Sequence, residues 1–278
     1  QLRPLGSRVR PHSQLLHYTV LLEPLASDAI FVAAEPTQIR GQFTSAAALT
    51  GNFRRGYLLQ DKTSSLSNPF HNFANVRYDA VSEIPRDLDS ALRQAPLTYS
   101  NSIREMYLQI PNLDPRIPAL ARQIAGRERT PLDQARAIER YLPANYSYTL
   151  DLAGPAPADP LSHFLFVTRA GHCEYFASAM TIMLRTLGIP ARYINGFLGG
   201  EYNDVGGDFI IRARHAHSWV EAYFPGYGWV TFDPTPPGAD RPTSLMTRLG
   251  FYWDWFQLQW SEWIVNYDFL RQDALVQN

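Results

Sequence analysis

Gly171-His172-Cys173-Glu174-Tyr175-Phe176-Ala177 holds the only cysteine in the 278-residue chain. Downstream of it, Phe176, Met180, Met183, Leu184 and Leu187 recur at the spacing of one helical face. Gly188 is placed to close that helix in a left-handed cap, and Pro190 stops any continuation. The pattern predicts a helix with Cys173 in its first turn, beside unpaired backbone N–H groups and the positive end of the helix dipole. Both favour the thiolate over the thiol, and the thiolate is the nucleophile. Taken alone, the same cysteine reads equally as a small buried apolar residue. The rest of the chain has to decide between the two.

Composition sets the outer bounds. Hydrophobic residues make up 45% and charged residues 18%, the balance of a globular protein with ample core. A formal net charge of -1 carries no electrostatic footprint for nucleic acid, so no nucleic-acid partner is expected. One cysteine rules out an intramolecular disulfide and leaves the redox compartment open. No apolar run approaches the roughly 20 residues that span a bilayer. The chain begins with Gln1 rather than Met, which suggests an excised portion with any signal or membrane helix outside it. Arg supplies 24 of the 25 basic residues and Lys62 the other, a bias that a GC-rich genome explains.

Upstream of the cysteine the chain changes character once. Residues 1–100 read as a β-rich domain. Leu16, Tyr18, Val20 and Leu22 alternate with His17, Thr19, Leu21 and Glu23, and Ile30 to Ala33, Phe53 to Leu59 and Ala74 to Ile84 are further strands. From about residue 101 helices take over. Asp114-Pro115 opens one that buries Ile117, Leu120, Ala121 and Ile124 and closes at Gly126. Thr130-Pro131-Leu132-Asp133 opens the next, with an N-cap Thr, Pro at the first helical position and an early acid. After Pro190 the pattern turns to strands at 191–198, 209–214, 217–224 and 229–233. Pro225-Gly226-Tyr227-Gly228 marks an antiparallel hairpin between the last two. The class is α+β, with a nucleophile-bearing helix packed on an antiparallel sheet.

A cysteine that runs acyl transfer needs a base, and the base needs a group to hold its tautomer. His217 stands on the strand His217-Ser218-Trp219-Val220-Glu221-Ala222-Tyr223, and Asp233 ends its partner. A four-residue loop pairs Phe224 with Trp229 and sets Asp233 opposite Val220, so direct apposition with His217 asks for a longer loop or a bulge. Each residue also has a plain reading: His217 as a half-buried polar residue, Asp233 as a turn opener before Pro234. His163, His172, Cys173, His215 and His217 could also be read as zinc ligands. Adjacent His172 and Cys173 fit one ion poorly, and only one thiolate is available.

Three blocks in this order resemble the bacterial transglutaminase-like, papain-related superfamily. They are Gly-His-Cys-Glu-Tyr-Phe-Ala, then Leu-Arg-Thr-Leu-Gly-Ile-Pro-Ala-Arg-Tyr-Ile-Asn-Gly-Phe, then His-Ser-Trp-Val-Glu-Ala-Tyr-Phe-Pro-Gly-Tyr-Gly-Trp-Val-Thr-Phe-Asp-Pro-Thr-Pro. The match runs from about Asp159 to Pro236 and is most similar to the membrane-anchored Pseudomonas protein-glutamine gamma-glutamyltransferase group. The resemblance implies a papain-like transglutaminase core over 101–240, behind a β-rich N-terminal domain, with an aromatic helical tail at 241–278 leading toward a membrane segment outside the chain. It assigns Cys173 as nucleophile, His217 as base and Asp233 as orienting acid, with His215 two residues too early. One position departs from the pattern: Val167 stands where papain-like enzymes carry an oxyanion-donating glutamine.

The implied reaction passes a glutamine γ-carboxamide acyl group through a Cys173 thioester to a primary amine. The implied partners are a glutamine-containing protein or peptide and an amine acceptor. No cofactor or metal is expected, since no acidic loop has calcium-binding spacing. The implied location is the periplasmic face of an inner membrane. The same triad also serves a cysteine protease, amidase or deamidase, and the same fold can be a non-catalytic binding scaffold. A lysine-poor surface would also limit self-cross-linking by such an enzyme. Trp253, Trp255, Trp260 and Trp263 crowd the stretch 249–270, which fits a membrane interface or packing back onto the domain.

Overall fold

Strand alternation builds the first part of the chain. In the computed structural model, which describes residues 3–5, 13–25, 27–33, 35–41, 43, 58–69, 76–85, 89–152, 157–203 and 208–237, β1 (Arg3–Pro4), β2 (Ser13–Leu22), β3 (Pro36–Gly41) and β6 (Val76–Pro85) form one antiparallel sheet in the order β1-β3-β6-β2. The short strands β4 (Leu59–Gln60) and β5 (Leu66–Ser67) pair separately. Val76, Tyr78 and Ala80 turn one face of β6 into a core with Leu22, Ile30, Ile39, Phe43, Leu58 and Leu66. This belongs to the first of two compact units, Gln1–Ser90 and Ala91–Asn278.

The segment Ile30 to Ala33 is not a strand, contrary to its apolar run; only Ala29 makes an isolated bridge, to Ser67. Past the Ile30 N–H, which donates to Leu66 O at 2.9 Å, side chains take the place of a ladder. The Tyr78 hydroxyl donates to the Phe31 carbonyl, the Ser82 hydroxyl donates to Ala33 O at 3.0 Å, and Ala33 N–H donates to the Tyr18 hydroxyl at 2.8 Å. With these groups satisfied, the backbone gains nothing from strand pairing. Most of the expected strand Phe53 to Leu59 lies outside the described residues, as does the tail 241–278 with its stretch 249–270.

The second unit begins with helices. After α1 (Asp89–Leu92), α2 (Asn101–Tyr107) starts at an N-cap Ser100 whose hydroxyl accepts from Ile103 N–H. α3 (Arg116–Ala125) and α4 (Pro131–Asn145) follow as the sequence predicts. Thr130 caps α4 by accepting Asp133 N–H at 3.1 Å, and Leu132, Ala135, Ile138 and Leu142 form its fully buried stripe. After β7 (Ser147–Tyr148) and α5 (Pro160–His163), a five-residue π turn (Phe164–Thr168) ends at Arg169 in left-handed conformation, φ 52°. β8 (Ala170–Gly171) pairs parallel with β7.

The helix α6 (Cys173–Thr186) starts at the cysteine. Its end is a Schellman motif, with Ile189 N–H on Leu184 O and Gly188 N–H on Arg185 O, both at 3.0 Å. Gly188 sits at φ +79°, which explains glycine there. Arg185 in the last turn is buried and donates to Ala191 O and Gln109 O, both at 2.9 Å. Burial pulls its pKa down to about 10, which leaves it charged at the negative end of the helix. Its bonds tie the helix to the first strand of the sheet.

That sheet has three antiparallel strands in the order β13-β12-β9, from β9 (Ala191–Phe197), β12 (Ala216–Phe224) and β13 (Gly228–Phe232). Between β9 and β12 the chain makes a small hairpin of β10 (Glu201–Asn203) and β11 (Asp208–Ile210), then a 3-10 turn at Ala213–His215. The expected strand 209–214 is therefore cut short by that turn. Ser218, Val220, Ala222 and Phe224 form the deeply buried face of β12. α6 packs against β12 and β9, and α4 packs against α3, α6 and β13. This is a mixed α+β architecture, with helices packed on an antiparallel sheet.

Candidate active site

Cys173 is the first residue of α6, directly after its N-cap His172. Its sulfur is a free thiol, partly exposed. The first N–H groups of any helix lack intrahelical acceptors, and the Cys173 N–H is among them. Gly171 stands in close approach to the helix: a Cβ there would sit 3.0 Å from the Tyr175 side chain. His172 packs edge-on against Tyr175, with centroids 4.9 Å apart. Burial lowers its pKa to about 4, so it is neutral across the physiological range.

The hairpin corrects the expected register. β12 and β13 pair Phe224 with Gly228 and Val220 with Phe232, so the loop holds three residues, not four. The shift is one residue, but on a pleated sheet one residue exchanges the faces. A Val220 partner would have put Asp233 on the face opposite His217. Carried one residue past the last pair, that register points Asp233 toward Trp219, which shares the His217 face, and the shorter loop rather than a longer one brings Asp233 nearer. His217 Nε2 and Asp233 Oδ2 are 2.8 Å apart.

Both carboxylate oxygens and the backbone N–H of Asp233 have partners. Oδ2 meets the imidazole, Oδ1 accepts Thr235 N–H at 3.0 Å, and its own N–H donates to Glu139 Oε1 on α4 at 2.9 Å. Pro234 restricts the aspartate to extended backbone. Burial pushes its carboxyl up, but the bonds from His217 and the Thr235 amide outweigh burial and hold it below the ordinary carboxylate range. An ionised Asp233 accepts the Nε2 proton and fixes the ring tautomer, leaving the lone pair on Nδ1. Nδ1 is itself buried. Trp219 lies parallel to the imidazole, centroids 6.4 Å apart.

Next to His217 on β12, Ser218 donates to Asn195 Oδ1 at 2.7 Å and shares a 2.8 Å hydrogen bond with the Tyr193 hydroxyl. Burial raises the Tyr193 pKa, and the nearby Glu174 carboxylate raises it further. Tyr193 thus links the neighbour of His217 to the start of α6. Glu139, Tyr193, Asn195 and Ser218 were not selected from the sequence, because their roles depend on strand pairing and on contacts across up to 94 residues. The pairing β9–β12, which sets Asn195 against Ser218 and Tyr193 against Val220, is the signal that finds three of them.

The remaining candidates fall elsewhere. His163 ends α5, and His215 ends the 3-10 turn, where its Nδ1 accepts Arg212 N–H at 3.0 Å. Among the described residues no group of three or more His, Cys, Asp or Glu could hold a metal ion. Val167 lies in the π turn and is 67% exposed. It offers no side-chain donor, which leaves the Cys173 N–H as the visible candidate for an oxyanion.

A cysteine at a helix start and a histidine–aspartate pair on the sheet that helix packs against are the parts of a cysteine-nucleophile site. Residues 118–234 match the Transglutaminase-like superfamily. It is 30% identical over 216 residues to protein-glutamine gamma-glutamyltransferase of Pseudomonas aeruginosa, covering 67% of this chain and 32% of that protein. It is 40% identical over 139 residues to the uncharacterized YebA of Bacillus subtilis, 47% of this chain and 19% of that one. The chain thus spans between 19% and 32% of the length of these relatives. The crystal structure of the periplasmic domain of TgpA from Pseudomonas aeruginosa matches 83% of this chain and 72% of its own, with TM-score 0.63 and 27% identity. No described helix is long and apolar enough to cross a membrane.

Proposed function

We propose that this chain is the catalytic portion of a transglutaminase, with Cys173 as nucleophile, His217 as base and Asp233 as orienting acid. The observation that carries the reading is the 2.8 Å bond between His217 Nε2 and an ionised Asp233, which leaves Nδ1 to take the thiol proton. The Cys173 thiolate attacks the carbon of a glutamine γ-carboxamide, and the Cys173 N–H steadies the developing oxyanion. The C–N bond breaks, ammonia leaves with the proton held by His217, and an acyl thioester remains. A primary amine then attacks the thioester, His217 takes its proton, and the thiolate is expelled as the new amide forms. None of these steps calls on a metal or cofactor.

The similarity to a protein-glutamine gamma-glutamyltransferase supports glutamine-bearing proteins or peptides as acyl donors and amines as acceptors. The similarity to a periplasmic domain supports a site on the periplasmic side of an inner membrane, anchored by segments outside this chain. Mass spectrometry of a glutamine peptide incubated with the protein and a primary amine tests the reading. The expected product is the amine-substituted peptide. Glutamate alone would make the protein a deamidase, and a cleaved backbone would make it a protease. Product formed at the wild-type rate by Cys173→Ala would remove Cys173 from the mechanism.

A further inference from the structure

Asp233 stands one residue past the last residue of β13, so the pairing of β13 with β12 does not hold its backbone. Its side chain is anchored on Thr235 N–H and on His217. Its N–H is anchored on Glu139 Oε1 at 2.9 Å, a bond between residues 94 apart in sequence. Glu139 follows Ile138, part of the buried stripe of α4, and α4 touches both α6, which begins with Cys173, and β13, which leads to Asp233. We infer that Glu139 is a positioning residue: by accepting the Asp233 N–H it fixes the strand end so that Oδ2 meets the His217 ring. This rests on the reading of Cys173, His217 and Asp233 as a working triad.

The side chain is placed against its own preference. Burial raises its pKa, the Asp233 charge raises it again, and only the bonded amide together with Arg136 and Arg140 draws it back. A carboxylate beside a second carboxylate is a poor choice for stability alone. Its geometric value is that Pro234 limits the backbone on one side of the Asp233 Cα, while Glu139 pins the N–H on the other. Without that acceptor the aspartate can swing about its backbone, and a misplacement of about 1 Å costs about 100-fold in rate.

The test compares Glu139→Gln, whose amide oxygen still accepts the N–H, with Glu139→Met, of similar length but no acceptor. Glu139→Met is expected to lower kcat about 10- to 100-fold with the donor-peptide KM within about threefold of wild type. Glu139→Gln is expected to stay within about threefold in both constants. A merely structural role would instead lower the melting temperature of both variants and leave the kcat of folded protein unchanged. Glu139→Met with wild-type kcat, or Glu139→Gln as slow as Glu139→Met, overturns the proposal. Should Glu139→Met fail to fold, Glu139→Gln decides by itself: a kcat loss beyond about threefold overturns the inference. Cys173→Ala, run alongside, separates the two readings, since activity surviving there condemns the triad, whereas activity lost there but kept in Glu139→Met condemns only the positioning role.

Discussion

The two units bury polar side chains for different ends. In the first, Tyr78 and Ser82 spend their hydroxyls on the carbonyls of Phe31 and Ala33, and Thr37 spends its own on Val81 O. Tyr18 and Ser82 also meet each other at 2.9 Å, but both reach the Ala33 backbone. These groups complete a backbone that the sheet leaves unfinished. In the second unit β12 has a ladder on both sides, so its polar side chains need not serve the backbone. His217 pairs with Asp233, and Ser218 with Asn195 and Tyr193. Buried polar groups require partners wherever they sit. On β12 the backbone is already satisfied and the partners of His217 and Ser218 are side chains; the first unit has such a bond too on a doubly paired strand, from Ser13 to the buried Glu83 at 2.6 Å.

The largest way to break that contrast is Asp233→Ala, which removes the acceptor on Nε2. A triad reading expects kcat to fall about 10^3- to 10^4-fold with the fold intact by circular dichroism; a loss under tenfold would make the pair ornamental. Next come two core truncations read together. Phe176→Ala on α6 and Ile39→Ala on β3 remove fully buried side chains, each costing about 2–5 kcal/mol in denaturant melts. Only Phe176→Ala is expected to lower the activity of the protein that remains folded. Equal activity losses would mean that the first unit takes part in the chemistry.

Gly196→Ala is a smaller perturbation. The added methyl would lie 2.6 Å from Trp219 Cη2, so the indole beside His217 must shift, at a cost of about 1–3 kcal/mol. The expected readout is a several-fold lower kcat with little change in KM; an unchanged kcat would show that the Trp219 position is immaterial. The smallest effect is on stability against pH. The Asp233 pKa is depressed in the folded protein, so its contribution is present above the ordinary aspartate pKa and is lost as pH falls through the folded value. A third of its side chain faces solvent, 34% by area, which keeps the contribution small. The melting difference between wild type and Asp233→Asn should therefore shrink on acidification from neutral pH, and a difference that grows would reverse the assignment.

The sequence is most readable where periodicity and punctuation agree. α6 runs from Cys173 with its apolar face, Gly188 and Pro190 as expected; α3 begins after its Asp-Pro signal and ends at Gly126, and α4 begins at its Thr-Pro signal. Ile30 to Ala33 misleads because an apolar run does not reveal that Tyr18, Tyr78 and Ser82 hold its backbone. β3 went unread because only Ile39 of its six residues is buried, too little alternation to detect. The hairpin is legible but its length is not: Gly228 looks like loop and is a paired residue, and that single position decides which face Asp233 occupies. Glu139 left no local trace at all, since its value lies in one bond to a residue 94 positions away.

The measurement closest to the central claim is the intact mass of the protein after incubation with a glutamine peptide and no amine. The expected result is an adduct on Cys173 with the mass of the peptide less ammonia, discharged as amine-linked product when a primary amine is added, and absent from Cys173→Ala. Amine-linked product appearing at the wild-type rate in Cys173→Ala, with no adduct on the wild-type protein, would contradict it.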